Sequence, residues 1–175
     1  QDKIKGVYAG SKQEAKELNL TSSNFITPHG LDQENHYSTA YDLAILTDYA
    51  LNNPTFKQIV SSKEKNIVLN GIPTTINNTN ELLGNYEGIY GVKTGFTFNA
   101  GRCLISAYKN SDFDLIIAVL GANSKSIRSK DTKTLINYIN SNFKNLDFQN
   151  IIETSFNDSL KNIHNSLILN KTQTT

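Results

Sequence analysis

The segment Lys93-Thr94-Gly95 combines residue types that can bind a carboxylate and still leave room for a peptide. Lys93 supplies a positive charge and Thr94 a hydroxyl donor, and charged donors form the stronger hydrogen bonds to carboxylates. Because Gly95 has no side chain, the backbone of a substrate can approach the chain closely there. The backbone N–H of Phe96 can then donate to an oxyanion that develops during acyl transfer. The alternative is an ordinary exposed lysine beside a glycine at a strand bulge, and the tripeptide alone leaves both interpretations open.

Three strand-like runs include and follow this segment, and they would hold it on a sheet. They cover residues 89–97, 102–108 and 113–120. The polar stretch 109–112 between the last two runs predicts an antiparallel hairpin. The run 115–120 is apolar on both faces, which predicts a central strand that is covered on both sides.

Helices are predicted both before and after these strands. Ser38 or Thr39 caps a helix whose apolar residues recur at helical spacing, and Asn52-Asn53-Pro54 ends it. Asn70-Gly71 is a strong turn signal between two short strands. The short strands cover 66–69 and 73–76, and the helices cover 11–20, 40–51, 54–60 and 126–143. Helices, then a meander of strands, then a helix predict an α+β fold with an antiparallel sheet flanked by helices.

Several blocks of the sequence occur in an order that is shared with one enzyme family. The blocks are 27–31 (Thr-Pro-His-Gly-Leu), 36–44 (beginning His-Tyr-Ser-Thr-Ala), 93–97 (Lys-Thr-Gly-Phe-Thr), 100–101 (Ala-Gly) and 119–122 (Val-Leu-Gly-Ala). In this order the chain resembles the D-alanyl-D-alanine carboxypeptidases, the low-molecular-weight penicillin-binding proteins of the serine β-lactamase and transpeptidase superfamily. The resemblance covers roughly residues 7–143. Several blocks in one order are far more specific than any one of them.

The resemblance implies a β-lactamase/transpeptidase-like fold and a role for each residue around the Lys-Thr-Gly block. Lys93 and the backbone N–H of Phe96 would be catalytic. The substrate-binding residues would be Thr94, Gly95, Thr97 and Arg128. The family has an arginine at the position of Arg128, at the start of the helix behind the strands, where it holds the terminal carboxylate of the substrate together with the threonine. A guanidinium can bind a carboxylate through two hydrogen bonds, whereas a solvated residue at a helix start is the alternative for Arg128.

The function that the resemblance implies is that of a serine-type D-Ala–D-Ala carboxypeptidase acting on peptidoglycan stem peptides. A serine would attack the terminal peptide bond, D-Ala would leave, and water would hydrolyse the acyl-enzyme. The expected partners are a stem peptide that ends in D-Ala-D-Ala and the β-lactams, which resemble that dipeptide. Because the substrate lies outside the cytoplasmic membrane, the expected location is extracytoplasmic: secreted, periplasmic or on the outer face of that membrane.

The nucleophile of such an enzyme is expected upstream of Gln1. The family carries Ser-x-x-Lys and Ser-x-Asn motifs before its Pro-His-Gly-Leu block. We therefore expect residues 1–175 to be incomplete at the N-terminus, to be inactive alone, and to pair with the missing N-terminal part of the same protein. Ser22-Ser23-Asn24 is rejected because it lies in the loop just before Pro28. The Ser-x-x-Lys matches that are rejected, because none precedes the other blocks, are Ser62/Lys65, Ser106/Lys109 and Ser141/Lys144.

The composition of the chain argues against nucleic-acid binding and against a metal site. Lys and Arg number 17 and Asp and Glu 16, so the net charge of +1 gives no electrostatic footprint for nucleic acid. One Cys and three scattered His do not make a metal site, and neither a metal nor a cofactor is expected. His29 and His36 are predicted to be turn residues bonded to nearby backbone, not general bases.

Two questions of organisation and function remain open from the sequence. Residues 1–145 are assigned to the C-terminal part of the catalytic domain. Residues 146–175 are assigned to a tail or to the start of a small second domain. The alternatives for function are a non-catalytic peptidoglycan-binding module and a serine β-lactamase-like protein.

Overall fold

In the computed structural model, the described residues are 13–143 together with Asn157 and Lys161. A short helical segment at residues 13–17 comes first. The labelled helices are α1 (Ala40–Leu51), α2 (Pro54–Ser61) and α3 (Lys125–Asn142). The strands are β1 (Glu64–Leu69), β2 (Ile72–Asn77), β3 (Ile89–Thr97), β4 (Gly101–Lys109) and β5 (Asp114–Ala122). This order of elements confirms the predicted α+β fold.

Side-chain caps explain where the first two labelled helices begin. The Thr39 hydroxyl accepts a hydrogen bond from the backbone N–H of Asp42 at 3.1 Å. The Asn53 side chain accepts from two backbone N–H groups in the first turn of α2, at 2.9 and 3.1 Å. These three hydrogen bonds satisfy N–H groups that have no partner inside the helix. Pro54 opens α2 at a position where a missing N–H breaks no helical hydrogen bond.

The strands form two separate antiparallel sheets. β1 and β2 pair with each other around Asn70-Gly71, where φ is +50° and then +81°. Two successive positive φ values match the twist of a tight hairpin, which confirms the predicted turn. β3, β4 and β5 form a three-stranded sheet in that order, with β4 in the centre.

The position of β5 differs from the prediction. Within residues 13–143, β5 pairs only with β4 and is an edge strand, so the prediction of a central strand at residues 115–120 is wrong. The apolar run is covered by helices instead, because both α1 and α3 pack against β5. When both faces of a strand are covered, its sequence is continuously apolar, and this holds for an edge strand as well as for a central strand.

The three-stranded sheet has apolar residues on both faces. Leu104 and Ile105 are consecutive on β4, so their side chains point to opposite faces. Leu104 packs in a cluster with Ile117 of β5 and Ile136 of α3. Ile105 packs against a second cluster that contains Val60 of α2. The sheet is therefore a middle layer between α3 on one face and α2 on the other.

The chain divides into two compact units, Gln1–Asn142 and Phe143–Thr175. All the labelled elements lie in the first unit. Of the second unit, only Phe143, Asn157 and Lys161 are described, so the tail or second domain predicted at 146–175 lies almost entirely outside the described residues. The boundary predicted after residue 145 stays a prediction. In the part of the chain that the structure describes, no helix is both long and apolar enough to cross a membrane.

Candidate active site

The Lys93-Thr94-Gly95 segment lies on β3, along one edge of the three-stranded sheet. β3 pairs with β4 on one side, and no described strand pairs with its other side. An unpaired strand edge presents backbone N–H and C=O groups that an extended peptide can bind. Lys93 and Gly95 are exposed and Thr94 is half-buried. The segment is therefore on a strand, as predicted, and accessible to a ligand.

A cleft of about 550 Å³ opens beside this edge. The predicted site residues that line it are Lys93, Thr94, Gly95, Phe96 and Arg128. The loop residues 29–31, Thr79, Arg102 of β4 and Lys125 of α3 complete the described lining. Four of these side chains are cationic, and none of the described lining residues is acidic. The cleft therefore suits an anionic ligand.

Hydrogen bonds within the cleft orient Thr94 and Lys93. The hydroxyl oxygens of Thr79 and Thr94 are 2.6 Å apart, and either hydroxyl can be the donor. When Thr79 donates, the proton of the Thr94 hydroxyl is available to a ligand. The Lys93 ammonium donates to the carbonyl of Thr94, which keeps its charge beside the strand. Thr79 was not among the predicted site residues, because its contact with Thr94 joins separate segments of the chain.

Arg128 lies in the first turn of α3, at the predicted helix start, but its side chain is not solvated. The residue is 2% exposed. Nη2 donates to Oε2 of Glu81 at 2.6 Å, and Nη1 donates to the carbonyl of Cys103 at 3.2 Å. Arg128 thus forms an ion pair at the base of the cleft. The carboxylate-binding role that the resemblance implies for Arg128 stays a prediction.

Glu81 is the carboxylate that balances the charge of Arg128. It also accepts a hydrogen bond from the Ser129 hydroxyl at 2.6 Å. Burial opposes ionisation of Glu81, but the hydrogen bonds from Ser129 and Arg128 and the arginine charge outweigh it, so the pKa of the Glu81 carboxyl lies below its ordinary value. Glu81 is therefore ionised at neutral pH and holds the start of α3 against the segment before β3.

Thr97 is the one predicted site residue that is not among the described residues lining the cleft. Its hydroxyl oxygen accepts a hydrogen bond from the backbone N–H of Ala100 at 3.0 Å. This contact stabilises the turn between β3 and β4. A substrate-binding role for Thr97 stays a prediction.

Arg102 is a cleft residue that sequence reasoning missed. The β3–β4 register pairs it with Phe96, and its guanidinium carbon lies 3.7 Å from the centroid of the Phe96 ring. Its position in the sequence could have indicated this role. Arg102 directly follows Ala100-Gly101, at the start of the strand predicted to pair with the Lys-Thr-Gly strand. Antiparallel pairing across a short turn brings such a residue opposite the end of the first strand.

The two histidines of the first loops have backbone partners. His29 lines the cleft, and its Nδ1 accepts a hydrogen bond from the N–H of Leu31 at 3.2 Å. His36 Nδ1 accepts from the N–H of Ile26 at 2.9 Å. Both contacts confirm the prediction that these histidines bond to nearby backbone.

The described lining of the cleft contains neither a motif-matching serine nor a cluster of metal ligands. None of the rejected serine matches lies among the described residues that line it. Ser106 is fully buried in β4, and the Ser23 hydroxyl donates to the buried carboxylate of Asp42 at 2.7 Å. Among the described residues, no three His, Cys, Asp or Glu side chains gather as metal ligands. The described lining therefore provides cations and hydrogen-bond donors.

Residues 8–124 match the family described as D-alanyl-D-alanine carboxypeptidase. The chain belongs to this family. The matched range includes the Thr-Pro-His-Gly-Leu block, the Lys-Thr-Gly block and Arg102, and it ends just before α3. The resemblance predicted from the order of the sequence blocks is confirmed.

Carboxypeptidases of known name match most of this chain. The chain is 32% identical over 133 residues to the D-alanyl-D-alanine carboxypeptidase DacF of Bacillus subtilis, and the match covers 75% of this chain and 34% of DacF. It is 37% identical over 131 residues to DacD of Escherichia coli, which covers 74% of this chain and 33% of DacD. The chain spans about a third of the length of these relatives.

Solved structures confirm the transpeptidase-like fold. The Streptomyces K15 DD-transpeptidase superposes with a TM-score of 0.68 at 31% identity, covering 73% of this chain and 51% of that one. Penicillin-binding protein D2 of Listeria monocytogenes, solved in its cefotaxime-bound form, gives a TM-score of 0.66 at 30% identity, with 74% and 53% covered. The fold expected from the sequence is therefore the observed one.

Proposed function

We propose that this chain forms one wall of the active site of a serine-type D-Ala–D-Ala carboxypeptidase that acts on peptidoglycan stem peptides. The observation that carries the proposal is that Lys93, Thr94, Gly95 and Phe96 share one cationic cleft at an unpaired strand edge. Membership of the carboxypeptidase family supports the reaction. A cationic cleft also suits a peptide whose C-terminus is a free carboxylate.

The β3 edge orients the peptide for acyl transfer. The peptide lies extended against β3, and the absence of a side chain at Gly95 lets the two backbones approach. After a serine attacks the carbonyl between the two D-Ala residues, the N–H of Phe96 donates to the oxyanion and the charge of Lys93 stabilises it. The Thr94 hydroxyl donates to the terminal carboxylate. The peptide bond breaks, D-Ala leaves with a proton on its nitrogen, and water later hydrolyses the acyl-serine.

We propose that the serine nucleophile belongs to the segment in which the family carries its Ser-x-x-Lys motif, and not to the described residues that line the cleft. None of the serines that match the family motifs lines the cleft among the described residues. The activity therefore belongs to an intact protein in which this chain is joined to, or paired with, the segment that carries the serine.

The proposed substrate also accounts for reaction with β-lactams and for the location of the protein. β-Lactams acylate the same serine, because they present a reactive amide and a carboxylate in the arrangement of the dipeptide. The cefotaxime-bound form of the Listeria relative supports this part of the proposal. Since the peptide substrate belongs to the cell wall, the protein acts outside the cytoplasm.

Covalent labelling with a fluorescent penicillin tests the reaction class. We expect the intact protein to be labelled and the 175-residue chain alone to remain unlabelled. Labelling of the isolated chain would contradict the placement of the nucleophile outside it. An intact protein that binds stem peptide without being labelled would instead be a peptidoglycan-binding module, and one that releases the label rapidly would be β-lactamase-like.

Gly95→Ala in the intact protein tests whether the peptide lies against β3. A Cβ at Gly95 would stand 3.7 Å from Cβ of Cys103, an ordinary contact, so the fold has room for it. The added methyl group would, however, displace a peptide backbone. We expect the acylation rate to fall about 100-fold, as for a misplacement of about 1 Å, while Tm stays within about 2 °C. The control is Val68→Ala on the β1–β2 hairpin; an acylation rate for Gly95→Ala equal to this control would rule out the proposed path of the peptide.

A further inference from the structure

The short segment 78–81, which follows β2, contacts both residues that would hold the terminal carboxylate of the peptide. Thr79 is hydrogen-bonded to Thr94, with the two hydroxyl oxygens 2.6 Å apart. Glu81 accepts a hydrogen bond from Nη2 of Arg128 at 2.6 Å. Thr94 and Arg128 both line the cleft, and the sequence resemblance implies that they bind the carboxylate together. One stretch of four residues therefore contacts two groups that lie on different elements.

Two asparagines anchor the 78–81 segment to the rest of the fold. The Nδ2 of Asn78 donates to two carbonyls at the C-terminal end of α2, at 3.3 and 3.2 Å. Asn80 is 2% exposed, and its Nδ2 donates to the carbonyl of Gly91 at 3.0 Å. The Oδ1 of Asn78 also accepts from the backbone N–H of Asn80 at 2.9 Å. Because Asn78 is tied to α2 and Asn80 to β3, the segment has a fixed position beside the cleft.

The direction of the hydrogen bond between Thr79 and Thr94 decides what the cleft offers to a ligand. A hydroxyl has one proton and two acceptor lone pairs. If Thr94 donated to Thr79, it would present only lone pairs to a ligand, and these would repel a carboxylate. If Thr79 donates, the Thr94 hydroxyl keeps its own proton for the ligand. A hydroxyl that accepts one hydrogen bond is also a stronger donor in the next.

Arg128 is held by the same segment and keeps donors for a ligand. A guanidinium carries five N–H donors. The structure shows Nη2 donating to Glu81 and Nη1 donating to the carbonyl of Cys103, and Nε has no hydrogen-bond partner among the described residues. Cys103 pairs with Gly95 across the β3–β4 ladder. These contacts therefore hold the guanidinium next to the strand that carries Thr94.

We propose that Thr79 and Glu81 are positioning residues for the terminal carboxylate of the peptide. Thr79 donates to the hydroxyl oxygen of Thr94, so that the Thr94 hydroxyl donates to the carboxylate. Glu81 holds the guanidinium of Arg128 in place to bind the same carboxylate. Both positioning residues act through the group that they hold. This assignment rests on the proposed carboxypeptidase function and adds the contacts that make the site selective for a free acid.

A pair of peptides tests the direction of the hydroxyl hydrogen bond. Turnover by the intact protein is measured for a peptide that ends in D-Ala-D-Ala and for the same peptide with a C-terminal carboxamide. A carboxylate only accepts, so it needs the proton of Thr94, whereas a carboxamide can donate or accept and bonds to Thr94 in either direction. For Thr79→Val we expect kcat/KM to fall about 3- to 10-fold with the free acid and less than about 2-fold with the carboxamide.

A conservative variant and a matched control accompany this measurement. Thr79→Ser keeps the hydroxyl, so we expect it to keep the wild-type preference for the free acid. Thr75→Val on the β1–β2 hairpin also removes a threonine hydroxyl, one that donates to Oδ1 of Asn66 at 2.7 Å, and we expect it to change neither kcat/KM value. Equal losses for Thr79→Val and Thr75→Val, or a loss for Thr79→Ser as large as for Thr79→Val, would overturn the role of Thr79.

A double variant separates positioning from an independent contribution of Thr79. If Thr79 acts through Thr94, its hydroxyl has nothing to orient once the Thr94 hydroxyl is absent. We therefore expect the double variant Thr79→Val/Thr94→Val to have the same kcat/KM with the free acid as Thr94→Val alone. Losses that multiply would show that Thr79 acts on the ligand by itself, and they would overturn its role as a positioning residue.

Glu81→Asp tests the position of Arg128 without changing the charge of the site. The shorter side chain draws the carboxylate back by one methylene, so it cannot hold Nη2 at its present place. We expect kcat/KM to fall about 10-fold with the free acid, as for a small misplacement of a binding group, and less than about 2-fold with the carboxamide. Wild-type kinetics with both peptides would show that Glu81 supplies only a counter-charge, and would overturn its positioning role.

Failure of the proposed function has a different signature from failure of this assignment. An intact wild-type protein that turns over neither peptide and is not labelled by fluorescent penicillin contradicts the carboxypeptidase proposal itself. A labelled, active protein whose preference for the free acid is unchanged by Thr79→Val and by Glu81→Asp contradicts only the positioning roles. So does a labelled wild-type protein that turns over both peptides equally well.

Discussion

The β1–β2 hairpin and the β3–β5 sheet are both antiparallel, yet different forces stabilise them. Among the described strands, β1 and β2 pair only with each other, and Val68 and Ile72 remain 69% and 66% exposed. In the sheet, Leu104 is fully buried and helices pack on both faces. Strand pairing alone shapes a hairpin, but a two-stranded pair is marginally stable by itself. The candidate site lies on the buried sheet, where packing fixes the relative positions of its residues.

The largest loss of stability is expected for a substitution at Leu104, in the β3–β5 sheet. Leu104→Ala leaves a cavity between the sheet and α3, so we expect the free energy of unfolding to fall by about 2–5 kcal/mol. Urea denaturation followed by circular dichroism measures it. A loss below about 1 kcal/mol would mean that this face of the sheet is not the core that the packing indicates.

Glu81→Gln tests the ion pair that ties α3 to the segment before β3. The substitution leaves Arg128 buried without its counter-charge, and because the Glu81 side chain is 37% exposed, solvent reduces the penalty. We expect the free energy of unfolding to fall by about 1–3 kcal/mol. An unchanged free energy of unfolding would show that water fully compensates the buried charge of Arg128.

The difference in the free energy of unfolding between wild type and Glu81→Gln also depends on pH. The pKa of Glu81 is lowered on folding from the ordinary value of 4.5, so its contribution to stability is present above pH 4.5 and is lost as the pH falls through the lowered folded value. The difference in unfolding free energy between wild type and Glu81→Gln should therefore shrink on acidification. Comparing the two proteins removes the parallel contribution of Asp114, whose pKa is also lowered. A difference that is constant with pH would contradict this account.

Gly71→Ala probes the hairpin at its turn. Gly71 has φ of +81°, and an added Cβ would meet nothing within 4 Å, so the cost comes only from the left-handed backbone. We expect the free energy of unfolding to fall by about 1 kcal/mol. Gly71→Asn is the matched control, because asparagine tolerates this conformation better. Equal losses for alanine and asparagine would point to another cause.

Val68→Ala should have the smallest effect. The side chain is 69% exposed on the hairpin, so we expect the free energy of unfolding to change by no more than about 0.5 kcal/mol. A loss comparable with that of Leu104→Ala would show that the hairpin carries a core of its own, and the contrast between the two regions would disappear.

Local signals were sufficient to predict most of the elements of the fold. The caps at Thr39 and Asn53 and the turn at Asn70-Gly71 act over a few residues, and the structure confirms each of them. The Lys-Thr-Gly block was found for the same reason, because its residue types and its strand are adjacent in sequence.

Long-range pairing could not be predicted in the same way. Glu81 and Arg128 are 47 positions apart, and neither residue carries a local sign of its partner. The continuously apolar run in β5 indicates cover on both faces, but helices and neighbouring strands leave the same pattern. Arg102 was missed because its place in the cleft depends on the β3–β4 register that pairs it with Phe96.

The edge of β3 with which no described strand pairs also affects how copies of this chain meet one another in concentrated solution. Open strand edges favour association with other strand edges. If two β3 edges paired, the two clefts beside them, each lined by Lys93, Arg102 and Lys125, would come close together. Like charges across a strand pair repel, whereas a peptide carboxylate is attracted. The cations that recruit an anionic ligand therefore also oppose self-association, and added salt weakens both effects.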